Sequence, residues 1–340
     1  MPGRKPWMQS LAFVPVLAAL ANPQADGNGR QAMKEPPVPR LHPHSTVGDI
    51  LRHPSFAGFG HLILPWDGRT YDEKLPLKQI GTLLPFHTHV DAQTVASALN
   101  NLIEDAARGQ KVFYRFYTDQ QTAADPSKAN AGLFFYRGKR GAPFAVISPG
   151  GGFQYVGSLH EGFPFAQEIR ARGYHAFVLK YRAGLGERTA TEDLAAALSW
   201  IFRHASELGL DTRGYLLWGC SAGARMAASI GSHGPGKFGG DDLPKPAAVV
   251  MTYTAHSDFS DREPPTFVVV GADDNISPPA SMEKRVEALR KLGTPVEYRK
   301  YPGLGHGFGP GTGTVAEGWG ADAIRFWEKH RGRPGDGRQK

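Results

Sequence analysis

From residue 143 onward the chain alternates short apolar runs with amphipathic helical stretches, and this alternation restricts the fold more than any other feature. Strands are predicted at 144–148, 176–181, 215–218, 247–253, 266–270 and 296–301. Between them lie a helix at 164–172 stopped by Gly173, a helix opened by the capping box Thr189-x-x-Glu192 that buries Leu194, Leu198, Ile201 and Ala205, and a small-residue helix after Ser221. A helix at 282–292 closed by Gly293 and a last one marked by Trp319, Ala323 and Trp327 complete the series. Parallel strands need long crossovers, commonly helical, so the pattern predicts an α/β fold: a mostly parallel sheet with helices on both faces. No internal repeat or low-complexity tract interrupts it.

The first 142 residues read differently. Arg4 and Lys5 precede an apolar run at 11–21, and Ala19-Leu20-Ala21 offers small residues at a cleavage point, the three-part plan of an export signal over 1–21. Eleven apolar residues are too few to span a bilayer, which takes about 20, so no stable membrane insertion is expected. A Pro-rich stretch at 22–43 reads as a linker, and 44–110 as a partly helical N-terminal extension. In it Asp91 can cap a helix that places Val95, Leu99, Leu102 and Ala106 on one face and ends at Gly109. Two strands, 112–118 and 132–136, are predicted as antiparallel neighbours opening a catalytic domain at 111–331. A basic tail occupies 332–340.

Composition excludes several classes of function. Apolar residues at 41% and charged residues at 21% exclude wholesale disorder. The single cysteine, Cys220, excludes an intramolecular disulfide or a thiolate zinc cluster. The net charge of +7 is concentrated at the ends: +3 from the last ten residues and +2 from Arg4 and Lys5 leave +2 for everything between. That distribution does not make a nucleic-acid footprint.

The chemistry centres on Gly219-Cys220-Ser221-Ala222-Gly223, a G-x-S-x-G placed between a predicted strand and a predicted helix. Such a turn lifts the Ser221 hydroxyl above the carboxyl ends of the strands, beside N–H groups that open a helix. A serine needs a base, and the base an orienting carboxylate. Asp273 and Asp274 follow the strand at 266–270, and His306 lies between glycines after the strand at 296–301, so both partners fall at the same sheet edge in the order Ser, Asp, His. The run Gly150-Gly151-Gly152, just after the strand at 144–148, can turn its N–H groups toward a carbonyl oxygen and, with the N–H of Ala222, build an oxyanion hole. Phe153 and Tyr155 on that loop, and His256 and Phe259 on the connection 254–265, are candidates to line the acyl or alcohol pocket. That connection is too short for a large helical lid. His87-Thr88-His89, on a strand, would put two imidazoles on one face, but nothing nearby except Asp91 completes a metal site, so no metal and no cofactor are expected.

At these residues the chain, over about 111–331, resembles the α/β-hydrolase superfamily. It is similar to bacterial serine esterases of the acetyl-xylan/feruloyl-esterase and acetylesterase type. Pro149–Phe153 stands where those enzymes carry Pro-Gly-Gly-Gly-aromatic, and Tyr181-Arg182 resembles their Tyr-Arg. The resemblance implies Ser221 as nucleophile, His306 as general base and Asp274 as orienter, since the acid falls at G-x-x-D, with Asp273 the alternative. It implies Gly151, Gly152 and Ala222 as oxyanion donors. Cys220, at a position the family often fills with a small or polar residue, reads as a buried small side chain. The expected function is a secreted or periplasmic serine carboxylesterase acting on short acyl esters, small-molecule or polysaccharide, including acetyl or feruloyl esters of plant polysaccharide. The rivals are a prolyl-oligopeptidase-like peptidase or amidase, and a non-catalytic binding protein on the same scaffold. The sequence leaves the oligomeric state open.

Overall fold

The computed structural model describes residues 38–332; the expected export signal, most of the expected linker and all but the first residue of the basic tail lie outside them. Eight strands form one sheet: β1 (Phe113–Tyr114), β2 (Gly132–Tyr136), β3 (Pro143–Ser148), β4 (His175–Lys180), β5 (Asp211–Cys220), β6 (Ala248–Thr252), β7 (Thr266–Gly271) and β8 (Val296–Tyr301). Their order is β1-β2-β4-β3-β5-β6-β7-β8. β2 runs antiparallel to both β1 and β4, and every other pairing is parallel. The expected α/β architecture is therefore present, with the predicted antiparallel pair at one edge.

Alternate residues along the central strands feed two separate cores, as a period of two requires. Ala145, Ile147, Leu216, Trp218, Val250 and Val269 face one side. Phe144, Val146, Leu217, Val249, Met251 and Val268 face the other. Six longer helices supply most of the cover: α1 (Ala92–Ala107), α2 (Phe163–Ala171), α3 (Gly186–Arg203), α4 (Ala222–His233), α5 (Pro279–Lys291) and α6 (Trp319–His330). Residues of α1, α2 and α6 join the first core, and residues of α3, α4 and α5 the second.

Residues 38–110 are built into the first core. Val47, Ile50, Phe56, Leu62, Leu77, Ile80, Val95, Leu99 and Leu102 are buried there together with Ile147 and Trp218. Asp91 caps α1 by accepting from the Thr94 N–H at 2.7 Å, as expected. Asp105 of α1 pairs with Arg170 of α2 at 2.8 Å, and Asp67 pairs with the fully buried Lys180 of β4 at 2.6 Å. The end of the expected linker is docked: Leu41 is buried, and its backbone exchanges two 2.8 Å hydrogen bonds with Asn100.

One helix start differs from expectation. α3 begins at Gly186, and no side chain caps it. Thr189 lies a turn inside, so the Thr189/Glu192 capping box does not form, and Glu192 instead accepts from Arg188 four residues earlier at 2.7 Å. Among the described residues no helix is long and apolar enough to cross a membrane.

Candidate active site

Ser221 sits between the end of β5 and the start of α4 with φ 50° and ψ −114°, a backbone conformation that L-residues rarely occupy. Neighbouring close packing holds it there. A Cβ at Gly223 would collide with the Ser148 carbonyl oxygen, and one at Gly219 with the backbone of Gly223 and Ala224. The two glycines of the motif thus let α4 lie directly against β3 and β5, and the serine absorbs the bend. Cys220 beside it is fully buried, and burial pushes its thiol well above the ordinary range.

The three side chains expected to meet do meet. Ser221 Oγ lies 2.8 Å from His306 Nε2, and His306 Nδ1 lies 2.8 Å from Asp274 Oδ2. An ionised carboxylate only accepts, so Nδ1 carries the proton and donates to Asp274. That leaves Nε2 as the acceptor for the serine hydroxyl. Asp274 is buried, and its other oxygen accepts the N–H groups of Ile276 at 2.9 Å and Ser277 at 2.8 Å, which fixes the carboxylate in place. Asp273, the alternative acid, is exposed and lines a cavity of about 230 Å³ beside His306, shared with Phe86, Thr88, Asn275 and Ile276.

The glycine loop lies against the serine, since a Cβ added at Gly150 would stand 2.9 Å from Ser221 Cβ. Gly151 and Gly152 have φ of 129° and 61°. Among the described residues the N–H groups of Gly151, Gly152 and Ala222 take no intramolecular acceptor. Backbone N–H groups without an acceptor are the kind of donor a carbonyl oxygen can use.

The expected pocket residues fare differently. Tyr155 is fully buried: its hydroxyl accepts the Phe86 N–H at 3.0 Å and lies 2.9 Å from His87 Nδ1, and Trp66 packs on its ring at 4.7 Å. It therefore holds the 85–89 segment and does not line a pocket. His256 is buried in a different cavity, with Glu187, Arg225, Ser229 and His233, where burial and nearby arginines lower its pKa to about 4. Phe259 is exposed, and Phe153, at φ 59°, stands edge-on to Tyr181. None of the four lines the cavity at His306. The His87/His89 pair does not share a face, because the segment is not a strand: His89 takes φ 55°, while His87 turns inward to Glu161.

Glu161 was not anticipated from the sequence. Its carboxylate is fully buried below the glycine loop. One oxygen accepts the Gly150 N–H at 2.7 Å, and the other accepts the Tyr253 hydroxyl at 2.6 Å. His87 Nε2 stands 3.1 Å from it, close enough for an ion pair though misaligned for a hydrogen bond. Burial pushes the Glu161 pKa up, but His87, Tyr253 and His160 outweigh that and hold it at about 2. The signal available was a lone carboxylate in the mostly apolar stretch 155–166, between Gly157 and Gly162.

The 85–89 segment completes the surroundings. The Thr88 N–H donates to Gly307 O at 2.9 Å, its hydroxyl donates to His306 O at 3.1 Å, and His160 Nε2 lies 3.2 Å from Gly307 O. The histidine loop is thus pinned from the N-terminal region.

Comparison with known proteins gives a consistent result. The BD-FAE family model matches residues 137–241, and the prolyl oligopeptidase family model matches residues 243–333. Endo-1,4-beta-xylanase B of Butyrivibrio fibrisolvens is 25% identical over 229 residues, covering 55% of this chain and 36% of that protein. An acetylxylan esterase of Xylanibacter ruminicola is 22% identical over 219 residues, covering 56% of this chain and 45% of that protein. The chain thus spans less than half the length of these two relatives. Among solved structures, an acetyl ester-xyloside bifunctional hydrolase from Caldicellulosiruptor lactoaceticus superposes with a TM-score of 0.56 at 21% identity, over 64% of this chain and 95% of that one. An alpha/beta hydrolase enzyme from a Medee basin deep-sea metagenome library superposes with a TM-score of 0.50 at 25% identity, over 58% and 92%.

Proposed function

We propose that this chain, a member of the α/β-hydrolase superfamily, is a secreted or periplasmic serine carboxylesterase that hydrolyses short acyl esters. The observation that carries the reading is the unbroken line from Asp274 through His306 to Ser221, with 2.8 Å at each step. Ser221 Oγ attacks the ester carbonyl as His306 Nε2 takes its proton. The carbonyl oxygen, now negative, accepts from the N–H groups of Gly151, Gly152 and Ala222. His306 then gives the proton to the leaving alcohol, the acyl group stays on Ser221, and water removes it by the same route in reverse. Asp274 holds the imidazole tautomer and stabilises the imidazolium that forms.

Short acyl groups are favoured by the connection 254–265 between β6 and β7, which is too short for a large helical lid over the site. The relatives named for xylan and acetyl-ester substrates support acetyl esters of plant polysaccharide as the natural class, with feruloyl esters the aromatic counterpart. The export pattern at 1–21 agrees with substrates outside the cell. The test is hydrolysis of p-nitrophenyl acetate and butyrate and release of acetate from acetylated xylan. Ser221→Ala should lower kcat by about 10⁶-fold. Folded wild-type protein with no turnover on any acyl ester would end this reading.

A peptidase reading has one observation in its favour, the prolyl oligopeptidase match over 243–333, the stretch that carries Asp274 and His306. Cleavage of a proline-containing amide without cleavage of esters would establish it over the esterase.

A further inference from the structure

The glycine loop and the histidine loop are far apart in sequence, yet one buried carboxylate is tied to both. Glu161 Oε2 accepts the Gly150 N–H at 2.7 Å, and Oε1 accepts the Tyr253 hydroxyl at 2.6 Å. The same hydroxyl accepts the Gly309 N–H at 3.2 Å, three residues past His306. The Tyr253 ring stands edge-on to His306 at 5.0 Å and to Phe308 at 4.9 Å. Tyr253 is held with φ 32°, immediately after β6. Burying a carboxylate is costly unless donors surround it, and the hydrolytic steps do not use this one. Its cost needs another explanation.

Every group that faces Glu161 can act as a donor: the Gly150 N–H, the Tyr253 O–H and the imidazole of His87. An ionised carboxylate is the one side chain of this size that only accepts, on both oxygens. Gly150 in turn packs against Ser221, so the direction of its N–H sets how the next two peptide groups turn. We propose that Glu161 is the positioning residue of the oxyanion hole: it draws the Gly150 N–H inward, leaves the N–H groups of Gly151 and Gly152 facing the carbonyl oxygen beside Ser221, and through Tyr253 fixes the histidine loop to the same anchor. This rests on the esterase reading of Ser221 and His306. Glu161 acts through other residues and touches no reacting atom.

Glu161→Gln tests it, because the amide keeps the shape but points a donor at one of the donors. Active sites are counted by labelling to completion with a fluorophosphonate, and kcat is expressed per labelled site on p-nitrophenyl acetate. Inhibition by a trifluoromethyl ketone, whose adduct places an oxyanion in the hole, is measured alongside. The expected result is a fall of about 10²-fold in kcat per site and in ketone affinity, with KM within about twofold of wild type. A purely structural role would reduce the number of labelled sites and leave each one at full rate. That outcome, or unchanged ketone affinity, overturns the proposal. Tyr253→Phe, which removes one hydroxyl and keeps the ring, should show a smaller loss in the same pattern. If E161Q does not fold, Y253F decides alone: wild-type kcat per site and ketone affinity overturn the proposal. A wild-type protein that neither labels nor turns over would sink the esterase reading itself, and so is distinct from a failure of E161Q.

Discussion

Two buried carboxylate–imidazole pairs touch Tyr253 from different sides, and they lead to different neighbours. Asp274 and His306 are 2.8 Å apart, and Glu161 and His87 are 3.1 Å apart; all four side chains are almost wholly buried. They differ in what the second imidazole nitrogen meets. For His306 it is the hydroxyl of Ser221, which is partly open to solvent. For His87 it is the hydroxyl of Tyr155, which is fully buried and already accepts the Phe86 N–H. An acid–imidazole pair is thus not a catalytic device in itself. It becomes one where its outer nitrogen leads to a nucleophile that a substrate can reach, and elsewhere it fastens elements together.

The comparison breaks or holds on a matched pair of substitutions. Asp274→Asn should lower kcat by about 10⁴-fold with the fold retained, since the amide can donate to Nδ1 and thereby impose the wrong tautomer. His87→Leu should cost about 1–3 kcal/mol of stability, because it strips the Glu161 carboxylate of a buried partner, and should reduce kcat far less than Asp274→Asn does. Urea unfolding and p-nitrophenyl acetate kinetics on both variants measure this. Equal losses of kcat would mean that the second pair takes part in the reaction.

Acid separates other buried groups in the same way. Burial lowers His160, His175 and His256 to about 4, from about 6.5 in an unfolded chain. Between those values the unfolded state binds more protons than the folded state, so stability is full above pH 6.5 and falls as pH drops toward 4. For a fully buried histidine such as His160 the loss is on the order of 3 kcal/mol. Glu161 follows the same sign at lower pH: its pKa is held at about 2, so its contribution is full above the ordinary carboxylate range and is lost progressively as pH falls from there through about 2. The urea midpoint should therefore fall steadily from pH 7 to pH 4.5. A flat midpoint over that range would show that these histidines are not held neutral in the folded protein.

What was legible in the sequence follows from the range of the signals. The sheet, the elbow at Ser221 and the approach of Asp274 and His306 rest on local periodicity and on residues placed just past strand ends, where parallel topology brings them together. The pocket residues depended on what covers the glycine loop, and that cover comes from residues 65–88, which have no regular period. Hence Tyr155 was expected at the substrate and is instead enclosed by Trp66, Phe86 and His87. Glu161 escaped notice because a buried carboxylate is recognised by its donors, and those donors are a backbone N–H, a tyrosine after β6 and a histidine from the N-terminal region. None of them lies at a spacing that a sequence pattern fixes.

The smallest expected effects concern helix starts, where the sequence was right once and wrong once. Asp91 accepts the Thr94 N–H and also the Thr94 hydroxyl, at 2.7 and 2.5 Å, so Asp91→Ala should cost about 1 kcal/mol. Thr189, by contrast, caps nothing and occupies a position inside α3. Alanine is the better helix former there, so Thr189→Ala should be neutral or stabilising by up to roughly 0.5 kcal/mol. Neither change should move kcat, since neither residue lines the cavity at His306. A lower melting temperature for Asp91→Ala and an unchanged or higher one for Thr189→Ala are the expected result. If Thr189→Ala instead destabilises the protein as much as Asp91→Ala, then α3 starts at Thr189 in solution and the turn before it does not belong to the helix.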